Sequence, residues 1–72
     1  MKYSVIERIG SKVLYVTTKS GNWLDLLNET SKDKKYAAKY NTKQEAIEAM
    51  DKFIRNAGSM YTGILDVKGI RD

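Results

Sequence analysis

The chain has 72 residues, a net charge of +4, and a hydrophobic fraction of 42%. It contains no Cys and no His, which excludes thiolate and imidazole chemistry, disulfide bonds, and metal sites other than those built from carboxylates and carbonyls. One small core stabilises so short a chain only weakly. We therefore expect a single domain, residues 1–72, that gains stability from a partner or from self-association.

The N-terminus gives no sign of export. The segment MKYSVIERIG places Glu7 and Arg8 where a signal peptide needs apolar residues, and no run in the sequence is apolar and long enough to cross a bilayer. The lack of Cys fits a reducing compartment. We expect a cytoplasmic protein with no membrane segment and no cofactor.

The first half of the chain begins with two strand-like segments. β-Branched and aromatic residues recur in residues 2–9 and 12–18, and Gly10-Ser11 between them favours a turn. The sequence therefore predicts an N-terminal antiparallel hairpin.

The middle of the chain is harder to interpret. Residues 23–27, WLDLL, have an apolar spacing that fits one helical turn as well as a short strand. Residues 28–35 are polar and predict an exposed loop. In residues 36–40 the alternation of side chains predicts a strand that places Tyr36 and Tyr40 on one face.

Residues 42–57 carry the clearest helical pattern. Thr42 and Glu45 have the spacing of a capping box, and Gly58 supplies a residue suited to ending the helix. Apolar residues recur at the helical period and predict one buried stripe. This stripe consists of Ala46, Ile47, Met50, Phe53, Ile54 and Ala57.

The end of the chain completes the predicted fold. Residues 61–67, YTGILDV, predict a last strand, and residues 68–72 a polar tail. The predicted order is strand, strand, short element, strand, helix, strand. A helix with one apolar face needs a sheet with one apolar face to cover, so we expect a two-layer α+β fold. Its antiparallel sheet has three to four strands covered by one α-helix.

The residues do not form a recognisable catalytic constellation. Without His and Cys, the remaining acids and bases are carboxylates, Lys and Tyr. Glu45, Glu48 and Asp51 fall on the helix face opposite the predicted stripe, which is typical of surface charges. The glycines are spread singly, and none forms a phosphate-binding loop. We expect a binding protein rather than an enzyme.

The first candidate binding feature lies in the ambiguous segment. Trp23, Leu24, Leu26 and Leu27 are large apolar residues within five positions, a composition typical of an interface anchor. Some of this surface should remain exposed, because the hairpin and the helix already supply most of one small core. The alternative is that Trp23 simply fills the core.

The second candidate feature is a basic segment, residues 32–43. Lys32, Lys34, Lys35 and Lys39 lie there with two tyrosines, and Asp33 is the one acid. Such a segment could attract nucleic acid or an acidic protein. The alternative is a solvated edge strand that its lysines protect from aggregation.

The motif Tyr40-Asn41-Thr42-Lys43-Gln44-Glu45-Ala46, preceded by Ala37 and by Trp23-Leu24-Asp25, resembles a loose group of small proteins from bacteriophages and their mainly Gram-positive hosts. In that group an N-terminal hairpin, a Trp-containing turn and an aromatic-x-Thr-Lys-x-Glu-Ala helix start follow one another. The similarity runs from about Lys2 to about Phe53. It implies a phage source, and phage proteins of this size often act stoichiometrically on host factors or defence systems, as anti-CRISPR proteins do.

The leading hypothesis is a phage-type accessory protein that binds and inhibits a host or defence-system protein. One alternative is a small basic module that binds nucleic acid. Another is a domain that assembles with itself, as a homodimer for example.

Overall fold

The computed structural model of the protein describes residues 1–60 and 63–71. Its sheet has four antiparallel strands in the order β3-β2-β1-β4. The strands are β1 Lys2–Ile9, β2 Lys12–Val16, β3 Thr30–Ser31 and β4 Ile64–Ile70. The helices are α1 Trp23–Asn28 and α2 Lys43–Ala57, with short 3-10 turns at Lys34–Tyr36 and Gly58–Met60. The predicted two-layer α+β fold, with one main helix on an antiparallel sheet, is confirmed.

The predicted hairpin is formed by β1 and β2. Ile9 pairs with Lys12 across Gly10-Ser11, and Gly10 adopts a φ of 60°, which a residue without a Cβ reaches at little cost. β2 ends at Val16, two residues before the predicted end. β1 is central, because β2 pairs with one of its edges and β4 with the other.

The third strand is not where the sequence predicted it. Thr30–Ser31 pairs with β2, whereas the prediction for residues 36–40 is wrong: a 3-10 turn ends at Tyr36. Tyr40 then forms an isolated bridge to Tyr3, with N–H to oxygen distances of 3.0 and 2.8 Å. Because β2 stops early, the first half of β1 needs another partner along that edge. The segment that ends at Tyr40 supplies it.

Helix α2 begins and ends as predicted. Thr42 Oγ1 accepts a hydrogen bond from the Glu45 N–H at 3.1 Å, and Gly58 caps the other end with a φ of 58°. Its buried face differs from the prediction, because Ala49 is buried while Ile54 is 45% exposed. The helix therefore turns its alanines and Phe53 toward the sheet, where small side chains permit close packing. No helix within the described ranges is long and apolar enough to span a membrane.

Strand β4 extends further than predicted. Residues 61–62 of the predicted strand lie outside the described residues, and the expected polar tail is instead strand up to Ile70. Ile70 pairs with Lys2 and Lys68 with Ser4, so the full length of β1 provides backbone partners for it.

The two faces of the sheet have different surroundings. Tyr3, Val5, Leu65 and Val67 lie on the face that packs against α2. The buried core consists of Val5, Val16, Leu26, Ala38, Tyr40, Ala46, Ala49 and Phe53. Side chains alternate along a strand, so Ile6 and its cross-strand neighbours Tyr15 and Asp66 lie on the opposite face.

Candidate functional site

Helix α1 is fixed in place at both ends. Asn22 caps its start, with Oδ1 accepting from the Leu24 N–H at 3.1 Å. Asn56 of α2 donates from Nδ2 to the Gly21 carbonyl at 2.5 Å. At the other end, the Glu29 carbonyl accepts from both the backbone N–H and the hydroxyl of Thr17, at 2.9 and 2.6 Å. The short helix is thus tied to α2 and to the end of β2.

The outer surface of α1 is apolar. Leu24 and Leu27 are 51% and 54% exposed, and Trp23 is half-buried. Residues three and four positions apart are neighbours on a helix surface, so these side chains form one contiguous area. We call this area, Trp23 with Leu24 and Leu27, the α1 patch.

Leu26 does not belong to the α1 patch, contrary to the expectation from the sequence. It is completely buried in the core, because it points from α1 toward α2 and the sheet. The alternative that Trp23 simply fills the core holds only in part. Trp23 is half-buried, so its side chain lies between the core and the exposed surface. The segment therefore divides into one core residue and a partly exposed apolar surface.

The basic segment forms an exposed turn. Lys32, Lys34 and Lys35 are exposed, and Tyr36 beside them is 59% exposed. Lys35 Nζ lies 5.0 Å from the centre of the Tyr36 ring and 3.7 Å from Asp33 Oδ2. We call Lys32, Lys34, Lys35 and Tyr36 the basic turn.

Lys39 and Tyr40 lie apart from the basic turn. Lys39 is half-buried and has an interaction of its own, and Tyr40 is buried in the core. The sequence placed both tyrosines on one strand face. Because the segment is not a strand, Tyr36 faces solvent next to a lysine, and Tyr40 packs inside.

Comparisons with known proteins give no identification. No family model, curated protein or solved structure matches the chain. What the protein does is therefore inferred from its own surfaces.

A shallow cleft of about 320 Å³ lies between α2 and the loop after β2. It is lined by Lys19, Tyr40, Glu45, Glu48, Ala49 and Lys52. Lys19 Nζ lies 5.3 Å from the centre of the Tyr40 ring. The cleft has mixed charge, and no cluster of three or more metal-ligating side chains occurs within residues 1–60 and 63–71. It therefore offers no clear metal site.

The buried environment of the Tyr40 hydroxyl was not predicted from the sequence. This hydroxyl is buried and has no hydrogen-bond partner among the described residues. Burial raises the pKa of Tyr40 above its usual value of 10.0, because the charged phenolate is poorly solvated there. The phenol stays protonated at neutral pH, so it cannot serve as a general base. The alternation of residues 36–40 did not indicate that Tyr36 would be exposed and Tyr40 buried.

Proposed function

We propose that this protein acts without turnover, by binding another protein through the α1 patch. The observation that carries the proposal is the exposure of Leu24 and Leu27 on a helix that is fixed at both ends. Contiguous exposed apolar area usually marks an association site. A rigid surface also loses little conformational entropy when a partner binds.

The half-buried Trp23 supports the same surface. Tryptophan is enriched among the residues that carry binding energy, especially where exposed neighbours exclude water around it. Leu24 and Leu27 flank Trp23 in this way, at positions one and four residues further along α1. The lack of Cys and His in the sequence also favours binding over catalysis.

The proposed partner is a host or defence-system protein that the chain inhibits by occupying one of its surfaces. The motif from Tyr40 to Ala46, with Trp23-Leu24-Asp25 before it, supports this choice through its resemblance to small phage proteins. In that reading the chain is a phage-type accessory protein that acts stoichiometrically.

The test compares three forms of the chain in a quantitative pull-down from the natural host. The wild type is set beside a Leu24→Asp/Leu27→Asp variant and a matched control, Ile9→Asp, which also changes an exposed apolar residue. We expect one host protein to be captured by the wild type and by the control but lost by the α1 variant. Circular dichroism should show the same fold for all three. Equal capture by all three would contradict the proposal.

A second candidate function is nucleic-acid binding by the basic turn. The observation that favours it is Tyr36, whose exposed ring lies beside Lys35. An exposed ring can stack on a base while neighbouring lysines neutralise phosphates.

A further inference from the structure

The outer edge of β4 presents backbone groups that no strand of the described residues pairs with. Tyr3 exchanges both of its backbone hydrogen bonds with Tyr40, on the side of β1 away from β4. In an antiparallel ladder this direction alternates, so Ser4 and Ile6 bond to β4 through Lys68 and Asp66. The residues of β4 that alternate with Asp66 and Lys68 therefore direct their N–H and C=O groups away from β1. These residues are Leu65, Val67 and Gly69.

A side-chain contact agrees with this assignment. The Val67 N–H donates to Oδ1 of its neighbour Asp66 at 2.8 Å, rather than to β1. Among residues 1–60 and 63–71, no strand pairs with this outer edge. A long regular edge strand is a template for another strand unless charges, prolines or bulges block it. β4 has no Pro, and its register with β1 is continuous from Ile64 to Ile70.

We propose that the β4 edge binds a second copy of this chain, β4 against β4 in antiparallel orientation, centred on Val67. The two sheets would then join in the order β3-β2-β1-β4-β4-β1-β2-β3. Val67 would pair with Val67 of the other copy, and Leu65 with Gly69, all through their outward N–H and C=O groups. The Val67 N–H would exchange its contact with Asp66 Oδ1 for the Val67 carbonyl of the other copy. The proposal is independent of the α1 patch.

Charge complementarity favours this register and this partner. With Val67 at the two-fold axis, Asp66 of each copy lies directly opposite Lys68 of the other. These pairs fall at the positions without hydrogen bonds, where facing side chains come closest. Opposite charges attract there, whereas like charges would destabilise the pairing. Lys68 would repel a strand that carries a basic residue opposite it, but in this register it faces Asp66 of the second copy.

The exposed flank of α2 also supports this dimer. Lys52 packs its side chain on Gly21, and Asn56 donates to the Gly21 carbonyl, so this flank of α2 faces α1. Ile47 and Ile54, seven residues apart, lie on the opposite flank, toward the outer side of β4. α2 packs on both β1 and β4. With strands about 4.8 Å apart, the two α2 helices of the dimer would lie about 10 Å apart, a normal helix-packing distance.

The dimer therefore accounts for an apolar residue that the core leaves outside. Ile54 is 45% exposed in the single chain, although its spacing predicted burial. In the joined structure, the flank of α2 that carries Ile54 would face the same flank of the other copy.

The first experiment is sedimentation equilibrium from micromolar to millimolar concentration, with a charge-exchange series. Asp66→Lys places lysine opposite Lys68, and Lys68→Asp places aspartate opposite Asp66. Each single variant should weaken the dimer about tenfold or more, because attraction becomes repulsion at both symmetry-related positions. The double variant Asp66→Lys/Lys68→Asp should restore the wild-type dissociation constant. Asp66 and Lys68 are exposed, and their side chains contact Arg8 and Tyr15 within the same chain. Circular dichroism and thermal melting of each variant therefore check that the monomer stays folded.

The second experiment tests the register by cross-linking. In the proposed pairing Ile64 lies opposite Ile70 of the other copy, at about 4.5 Å between Cα atoms, which a disulfide can bridge. An equal mixture of Ile64→Cys and Ile70→Cys chains should therefore form a covalent heterodimer on mild oxidation. Neither variant should cross-link alone, since identical positions are about 20 Å apart. The natural chain has no cysteine to interfere.

Two results would overturn the proposal. One is a wild-type chain that remains monomeric up to millimolar concentration. The other is a dimer whose dissociation constant is unchanged in both single charge variants, which would place the interface on another surface. Cross-linking of each cysteine variant with itself, but not in the mixture, would also reject this register.

Discussion

Lys68 Nζ lies 3.5 Å from Tyr15 Oη and 5.8 Å from the centre of the Tyr15 ring, although β1 separates the strands of the two residues. The contact crosses the sheet face that α2 does not cover. Arg8 and Asp66 form a second contact across this face, at 3.5 Å. Ile6 lies between the two contacts and is only 1% exposed. Side chains of the sheet itself therefore shield this residue.

The first prediction concerns this shield. Tyr15→Ala should lower the free energy of unfolding by about 1 kcal/mol, because it removes the cross-strand contact with Ile6 and the cation–π contact with Lys68. Tyr15→Phe keeps the ring and should stay within about half of that change. Urea unfolding of both variants measures the difference. If the alanine variant is as stable as wild type, Ile6 is shielded by other means.

The second prediction concerns the centre of α2. Phe53 is completely buried, and Phe53→Ala should cost about 3 to 5 kcal/mol through lost apolar contact and a residual cavity. That approaches the whole stability expected of a domain this small. Arg55→Ala is the control, since Arg55 is exposed on the same helix. Thermal melting should show a large drop for the first variant and a small one for the control. A shift of only a few degrees for Phe53→Ala would contradict the packing of α2.

The third prediction separates the core residue of α1 from its exposed surface. Leu26→Ala should lower the free energy of unfolding by about 2 to 5 kcal/mol, because Leu26 has no exposed surface. Leu24→Ala and Leu27→Ala should each change it by less than about 1 kcal/mol. Denaturant unfolding of the three variants compares equal truncations on one short helix. Equal losses in all three would mean that the α1 patch is needed for folding.

The fourth prediction concerns the unpartnered hydroxyl of Tyr40. Tyr40→Phe should leave stability unchanged or raise it by about 1 kcal/mol, because a buried hydroxyl without a partner costs free energy. The phenylalanine ring keeps the contact with Lys19.

The pH dependence of the same variant follows from the raised pKa of Tyr40. Above about pH 10 the unfolded chain loses this proton while the folded chain retains it, so wild-type stability should fall as the pH rises. The fall should be shallower for Tyr40→Phe. Unfolding in urea at neutral pH and above pH 10 tests both points. A steeper fall for the variant would show that Tyr40 does not favour its protonated form in the fold.

The fifth prediction tests nucleic-acid binding by the basic turn. If it occurs, the affinity for a single-stranded oligonucleotide should fall steeply with added salt, because each neutralised phosphate releases counterions. Replacing Lys32, Lys34 and Lys35 together by Gln should abolish binding without changing the melting temperature. A Lys12→Gln/Lys43→Gln variant, changed at exposed lysines elsewhere, is the control. Fluorescence anisotropy in low salt measures the affinity, and no binding by the wild type would remove this function.

The hairpin and α2 could be predicted because their signals are local. Gly10-Ser11 sets a tight turn between two strand-like segments, and the Thr42 hydroxyl satisfies a backbone N–H only three residues away. These interactions depend on near neighbours in sequence, so they act in the same way in any context that preserves the segment.

The remaining features depended on residues far apart in the chain. Residues 36–40 did not form a strand beside β2. Because β2 pairs only with the second half of β1, the edge of β1 at Tyr3 remained free, and Tyr40 forms an isolated bridge there. The burial of Leu26 and the exposure of Ile54 followed from the rotation of each helix on the sheet, which the packing of distant side chains determined. Periodicity shows that a helix has an apolar face, but the shape of the opposing surface decides which residues along its border are buried.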